Sequence, residues 1–190
     1  MDSTRPSLLF RVKDQKDVAA WQEFFELYSP LLYGYARERG LDHEDAEDIR
    51  ASCYETIVKK IKDFDYDDGN SGFRAWLRTL VNRRVIDHFR KRRPLVAESN
   101  ELLGVVDGSE QPDELWEKNW RLHHLRYCVA QVGKRVQPKT FEAFRLLTEQ
   151  DCSVEDVCQR LDMNAAQVHK IKSRFLEMMR EEMKNFDLET

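Results

Sequence analysis

Apolar positions recur at three- and four-residue spacing along most of this chain, which is the period of the α-helix. Between residues 17 and 38 the stripe is Ala20, Trp21, Phe24, Phe25, Tyr28, Leu31, Leu32 and Tyr35. Ser29-Pro30 interrupts it, either as the cap and start of a second helix or as a kink in one long helix. Gly40 ends the segment. Asp42 reads as an N-cap, with Glu44 and Asp45 in the first turn. That helix should run to about Lys62, burying Ala46, Ile49, Cys53, Ile57 and Ile61. A polar loop over residues 63–72 precedes a helix from Phe73 to about Arg92. Its buried side should be Phe73, Trp76, Leu77, Leu80, Val81, Val85 and Phe89. At 1.5 Å per residue it is roughly 30 Å long, close to one turn of duplex DNA at about 34–36 Å.

Residues 94–115 lose the period. They hold six acids, no Lys or Arg, and the breakers Gly104, Gly108 and Pro112, so they read as a linker. Leu102-Leu103 and Val105-Val106 are docking points within it. Four helical segments follow, at about 115–133, 139–149, 154–161 and 165–185. The first places Trp116, Trp120, Leu125 and Val129 on its apolar side. The second places Phe141, Phe144, Leu146 and Leu147 there. The expected fold is all-α, with two small helical domains over 10–93 and 116–186 joined by the acidic linker 94–115.

Composition supports this reading. The 190 residues are 41% hydrophobic, with only 7 Gly and 5 Pro, which favours helices over many short strands. No apolar run approaches the roughly 18 residues that span a membrane, and the start of the chain lacks a signal-peptide pattern. Cys53, Cys128, Cys152 and Cys158 form no Cys-x-x-Cys pair. They read as reduced residues of a cytoplasmic protein.

Net charge is −4, but it is unevenly spread. Residues 72–93 carry Arg74, Arg78, Arg83, Arg84, Arg90, Lys91, Arg92 and Arg93 against one acid, Asp87. That strip is +7 and the rest of the chain −11. A concentrated basic strip on an acidic protein is an electrostatic footprint for nucleic acid.

Ser153 to Leu176 has the layout of a helix-turn-helix. Ser153 caps a short helix with Glu155 and Asp156 in its first turn. Asp162-Met163-Asn164 is the turn, with Met163 inward and Asn164 capping the next helix. That helix buries Val168, Ile171, Phe175 and Met178 or Met179. Its other face carries Ala166, Gln167, His169, Lys170, Ser173 and Arg174, types suited to close approach, base edges and phosphates.

These segments carry a family resemblance. Ala46-Glu47-Asp48-Ile49 resembles the Ala-Glu-Asp-Leu core of region 2 of the sigma-70 family of RNA polymerase sigma factors. Phe73-Arg74-Ala75-Trp76-Leu77 and Ile86-Asp87-His88-Phe89-Arg90 resemble the strand-separating part of that region. Residues 153–174 resemble the region 4 helix-turn-helix, and the small size is similar to the extracytoplasmic-function (ECF) group.

The resemblance implies a sigma factor that binds core polymerase, reads −10 and −35 promoter elements and helps open the DNA. Glu47, Asp48 and Arg50 would meet the clamp helices of the polymerase largest subunit, and the flap would be a second contact. Phe64, Asp65, Tyr66, Asn70 and Ser71 are candidates to hold a flipped −10 base. Arg78, Asn82, Arg83 and His88 would face the −10 DNA, with Arg90, Lys91, Arg92 and Arg93 on its phosphates. Trp76 is either core or placed behind the melting junction. Ala166, Gln167, Lys170, Ser173 and Arg174 would meet the −35 major groove. An anti-sigma factor is a further partner the resemblance allows. Aromatic residues beside a basic strip suit single strands, because bases stack while phosphates pair.

Ala51 stands where the family often has Gln, Asn82-Arg83 inverts its Arg-Asn order, and Asp162 replaces a common turn glycine. The linker acids would mimic nucleic acid inside polymerase or simply aid solubility. The alternative to a sigma factor is a stand-alone helix-turn-helix regulator, which has no need of the Phe73–Arg93 segment.

Other motifs are weaker. Asp63-x-Asp65-x-Asp67 lacks the Gly at position 6 and Glu at position 12 of a calcium loop, where Asp68 and Arg74 stand. His124 and Cys128, one turn apart, have no second pair for a metal. Glu47, Asp48 and Asp45 as nuclease carboxylates are better explained as an acidic first turn. No phosphate-cradling Gly-Lys loop or nucleophile elbow occurs. No enzyme, cofactor or metal site is expected.

Overall fold

A computed structural model describes residues 6–64, 72–92 and 112–184. Eight α-helices and a 3-10 turn, and no strand, occur among the described residues. The chain divides into two compact units, Met1–His123 and His124–Thr190.

The first unit holds α1 (Pro6–Val12), α2 (Val18–Glu38), α3 (His43–Lys60), a 3-10 turn (Ile61–Asp63) and α4 (Phe73–Arg92). It also holds the first half of α5 (Pro112–Arg135). Asp17 caps α2 by accepting from Ala20 N at 2.9 Å. Its carboxyl is held below the usual range, first by the hydrogen bond from Arg11. The helix runs unbroken through Pro30, so neither a second cap nor a new helix begins there. Buried Phe24, Leu27, Tyr28, Leu31, Leu32 and Tyr35 on both sides of the proline hold the two halves to one core. Gly40, at φ +89, lets Leu41 N reach Ala36 O and Gly40 N reach Arg37 O, which ends the helix in a left-handed turn.

Asp42 caps α3 as expected, accepting from Asp45 N at 2.9 Å. That bond, with help from Arg92, holds its carboxyl below the usual range. Ala46, Ile49, Cys53, Ile57 and Ile61 are all buried. In α4 the buried stripe is narrower than expected. Phe73, Leu77, Val81 and Val85 are buried, whereas Trp76, Leu80 and Phe89 flank them half-buried.

The unit's centre is aromatic. Phe73 meets Phe24 and Tyr28 edge-on at 5.9 and 5.3 Å between ring centroids. Tyr28 lies 6.0 Å from Trp120, and Tyr35 meets Trp116 edge-on at 5.2 Å. Both tryptophans are fully buried. This corrects two expectations. The division falls at His123/His124, not at residue 116, and both tryptophans belong to the first unit. The linker also ends earlier, because Pro112 opens α5, where a proline loses no helical hydrogen bond. Leu125, expected on the apolar side, is 41% exposed. The buried positions are Trp116, Trp120, His124, Cys128 and Val132. They follow strict four-residue spacing, and the polar His124 interrupts that line in an apolar reading.

Burial pushes the Cys53 thiol up from 9.0 to about 12, against the pull of Arg84. A thiol that stays neutral when folded but ionises at its ordinary value when unfolded stabilises the fold only below that value. Stability should therefore fall as pH rises from about 9 towards 12. Urea titrations across that range should show a shallower decline for Cys53→Ala, and identical slopes would contradict the cause assigned.

The second unit holds the rest of α5 with α6 (Pro138–Thr148), α7 (Val154–Leu161) and α8 (Ala165–Lys184). Ala143, Leu146, Val157 and Val168 form its core, with Leu161, Met163 and Ile171 packed against them. Phe144 stacks on Phe175 at 3.7 Å and Phe141 on Phe175 at 6.0 Å. A Cβ on Gly133 would lie 2.8–3.0 Å from the Phe141 ring, so the α5–α6 approach depends on glycine there.

Candidate nucleic-acid interface

Helix α4 presents its charged side in a graded way. Arg83, Arg90 and Lys91 are exposed, with Arg90 also 2.9 Å from Asp87 Oδ1. The other expected readers are engaged within the unit. Arg78 Nη1 lies 3.3 Å from Asp113 Oδ1 on α5. Asn82 Oδ1 accepts from Tyr35 OH at 2.6 Å and from Arg39 Nη1 at 2.9 Å. Arg39 is buried, and burial raises the Tyr35 phenol against Arg39's opposing pull. Asn82 therefore closes an internal polar network. His88 Nε2 sits 3.2 Å from Asp45 Oδ2, and Arg92 pairs with the same carboxylate and, at 3.8 Å, with Asp42.

Phe64 is half-buried, 5.8 Å from Phe73 and 5.4 Å from Trp76. Trp76 thus forms an aromatic shelf with Phe64 at the start of α4. Asp65, Tyr66, Asn70, Ser71 and Arg93 lie outside the described residues.

The sequence reading missed the partners of these residues. Arg74 and Arg78 are four apart on α4, and Asp113 and Glu117 are four apart on α5. The helices pair them in antiparallel order, Arg78 with Asp113 and Arg74 with Glu117. Matched four-residue spacing of opposite charges is the one signal that could have shown it.

On α3, Asp48 is exposed. Arg50 pairs with Glu47, donates to Ser29 Oγ at 3.0 Å and lies over the Phe25 ring at 5.7 Å. Phe25, 46% exposed and 4.7 Å from Tyr54, extends this face with apolar surface. In the sequence it is one of the apolar positions of the α2 stripe.

In the second unit the turn into α8 is held from both sides. Ser153 and Asp156 form a reciprocal capping box, and the Ser153 bonds hold the Asp156 carboxyl below its usual range. Asp162 takes the left-handed conformation at φ +47. Asn164 Oδ1 accepts from Gln167 N, and Gln167 Oε1 from Asn164 N, both at 2.9 Å. Val168, Phe175 and Met179 face the core. Ala166, Gln167, Lys170, Ser173 and Arg174 are all exposed. Gln167, Lys170 and Arg174 also line a groove of about 450 Å³ that reaches Thr140 of α6.

Among the described residues, no three His, Cys, Asp or Glu side chains are grouped to hold a metal. No helix there is long and apolar enough to cross a membrane.

The Sigma-70 region 2 family model matches residues 24–94, the segment from within α2 through α3 and α4. Over 91% of its length the chain is 24% identical to the ECF RNA polymerase sigma factor BldN of Streptomyces coelicolor. Over 73% it is 28% identical to the ECF RNA polymerase sigma factor RpoE of Cereibacter sphaeroides. Residues 24–94 thus match Sigma-70 region 2, and the chain is similar over most of its length to ECF RNA polymerase sigma factors. The match spans 64% of BldN's own length and 74% of RpoE's. A solved structure entitled an RsbN-BldN complex overlaps with TM-score 0.37 and 18% identity, over 91% of this chain and 97% of that one. The region 2 match ends where the basic strip ends. The α8 helix-turn-helix and all of α5 lie beyond it.

Proposed function

We propose that the chain binds core RNA polymerase and directs it to promoters, reading a −10 element with the first unit and a −35 element with the second. The observation that carries this is the coincidence of the region 2 match with α4, a helix that carries exposed Arg83, Arg90 and Lys91. Around it, Phe64 and Trp76 offer stacking surface for an unpaired base. Asp48, with the Glu47–Arg50 pair and Phe25 beside it, is the polymerase-facing surface of α3. Lys170, Arg174, Ser173 and Ala166 meet the −35 groove, and Gln167 joins them through its amide nitrogen while its oxygen caps Asn164. Such a protein is a binding subunit that works on cytoplasmic DNA and needs no catalytic centre.

The test is reconstitution. Core polymerase should retain the protein in a pull-down, and the pair should initiate from a discrete set of sites on genomic DNA where core alone does not. A protein that core polymerase does not retain, yet that binds duplex DNA by itself as a dimer, would be a stand-alone regulator and would overturn the proposal.

A further inference from the structure

Two cations of the α4 face are already occupied by this chain. Asp113 and Glu117, in the first turns of α5, sit against Arg78 and Arg74. The helix that carries them is firmly seated. Trp116 and Trp120 are fully buried, Tyr35 OH donates to Pro112 O at 3.3 Å, and Asn119 donates to Glu38 at 2.7 Å. The guanidinium of Arg74 lies 5.4 Å from the centre of the Trp120 ring.

Resting on the reading of α4 as a nucleic-acid face, we infer that Asp113 and Glu117 act as a resident substitute for backbone phosphates. They occupy Arg78 and Arg74 until DNA takes their place. The two kinds of contact differ in how easily they break. The carboxylates are solvent-facing, Asp113 at 70% and Glu117 at 39% exposure. Each pair thus joins an exposed carboxylate to a part-buried guanidinium, Arg78 at 31% and Arg74 at 22% exposure, and its solvent-facing side is weakly held. The indoles are enclosed and are not. The guanidinium fork accepts a carboxylate or a phosphate with the same geometry. Exchange therefore needs only the two acidic side chains to rotate away while the tryptophans keep α5 in place. The free protein thereby shows nucleic acid two fewer cations than its sequence contains, which restrains indiscriminate binding.

The experiment uses the full chain and a fluorescein-labelled 20-nucleotide thymidine strand, followed by anisotropy at low salt. Asp113→Asn/Glu117→Gln should bind roughly three- to tenfold more tightly than the unaltered protein. Its affinity should also fall more steeply with salt, by about 0.7 in logarithmic slope for each cation released. Asp113→Asn alone should give a smaller gain in the same direction. The control Glu55→Gln/Glu114→Gln removes the same charge from exposed positions that do not face these arginines, and should change affinity less than twofold. Unchanged tryptophan emission shows that α5 remains docked in each variant. Equal gains in both double variants would reduce the effect to net charge and overturn the inference. Failure of the underlying reading has a different signature. Arg83→Ala/Arg90→Ala would then leave strand binding unchanged, both in the unaltered protein and in Asp113→Asn/Glu117→Gln.

Discussion

Trp116→Ala and Trp120→Ala each lower the stability of the first unit by about 3–5 kcal/mol, the usual cost of emptying a fully buried indole site. Urea unfolding followed by circular dichroism reads the loss as an earlier midpoint. Trp116→Phe is the informative companion. The Trp116 Nε1 is buried with no hydrogen-bond partner among the described residues, so removing it forfeits no bond seen there and spares a desolvated donor. What remains is a modest loss of volume, and the cost falls to about 1–2 kcal/mol. A midpoint that Trp120→Ala leaves in place would mean that the start of α5 is not packed on the first unit in solution. This prediction concerns a contact, not only a residue, because Tyr28, Tyr35 and Arg74 all lose a partner when the indoles go.

The second large effect lies on α8. Lys170→Ala and Arg174→Ala should each weaken binding to duplex containing the upstream promoter element by about 1–3 kcal/mol, the range for a contact to a base edge. That is roughly tenfold or more in a competition footprint. The loss should be largest for the correct sequence if the contact is to a base, and uniform if it is to a phosphate. Arg83→Ala should act at the downstream element instead. A footprint in which Arg83→Ala affects the upstream element and Arg174→Ala the downstream one would reverse the assignment of the two units. Gln167→Ala is a less clean probe, because its oxygen also caps Asn164.

Local structure was largely legible in the sequence. The buried side of α3, the caps Asp42, Ser153 and Asn164, and the inward Met163 all follow from helical period and terminal hydrogen bonding. Those rules act within a turn or two of the chain. What was not legible depends on partners far along it. The apolar stripe of α5 says which side of the helix is buried, but not which unit buries Trp116 and Trp120. Arg78 and Asn82 look like free polar side chains on a basic helix until Asp113 and the Tyr35–Arg39 pair are brought to them. His88 is similar: its type suits DNA, but the fold sets it against Asp45. The candidate readers that remain on display, Arg83, Arg90, Lys170 and Arg174, are those that the fold leaves exposed. Family resemblance added the roles, and the tertiary contacts decided which side chains are at liberty to perform them.

Gly133 has a consequence for how far this protein can vary. The helix around it forgoes about 1 kcal/mol of propensity by holding a glycine instead of an alanine. In return the Phe141 ring rests where a methyl group would otherwise stand. Phe141 stacks on Phe175, and Phe175 is the immediate neighbour of Arg174. The packing beneath Arg174, which we propose reads DNA, thus includes the place of a missing side chain on another helix. Any side chain at position 133 would have to displace the Phe141 ring, and with it the stack that backs Phe175.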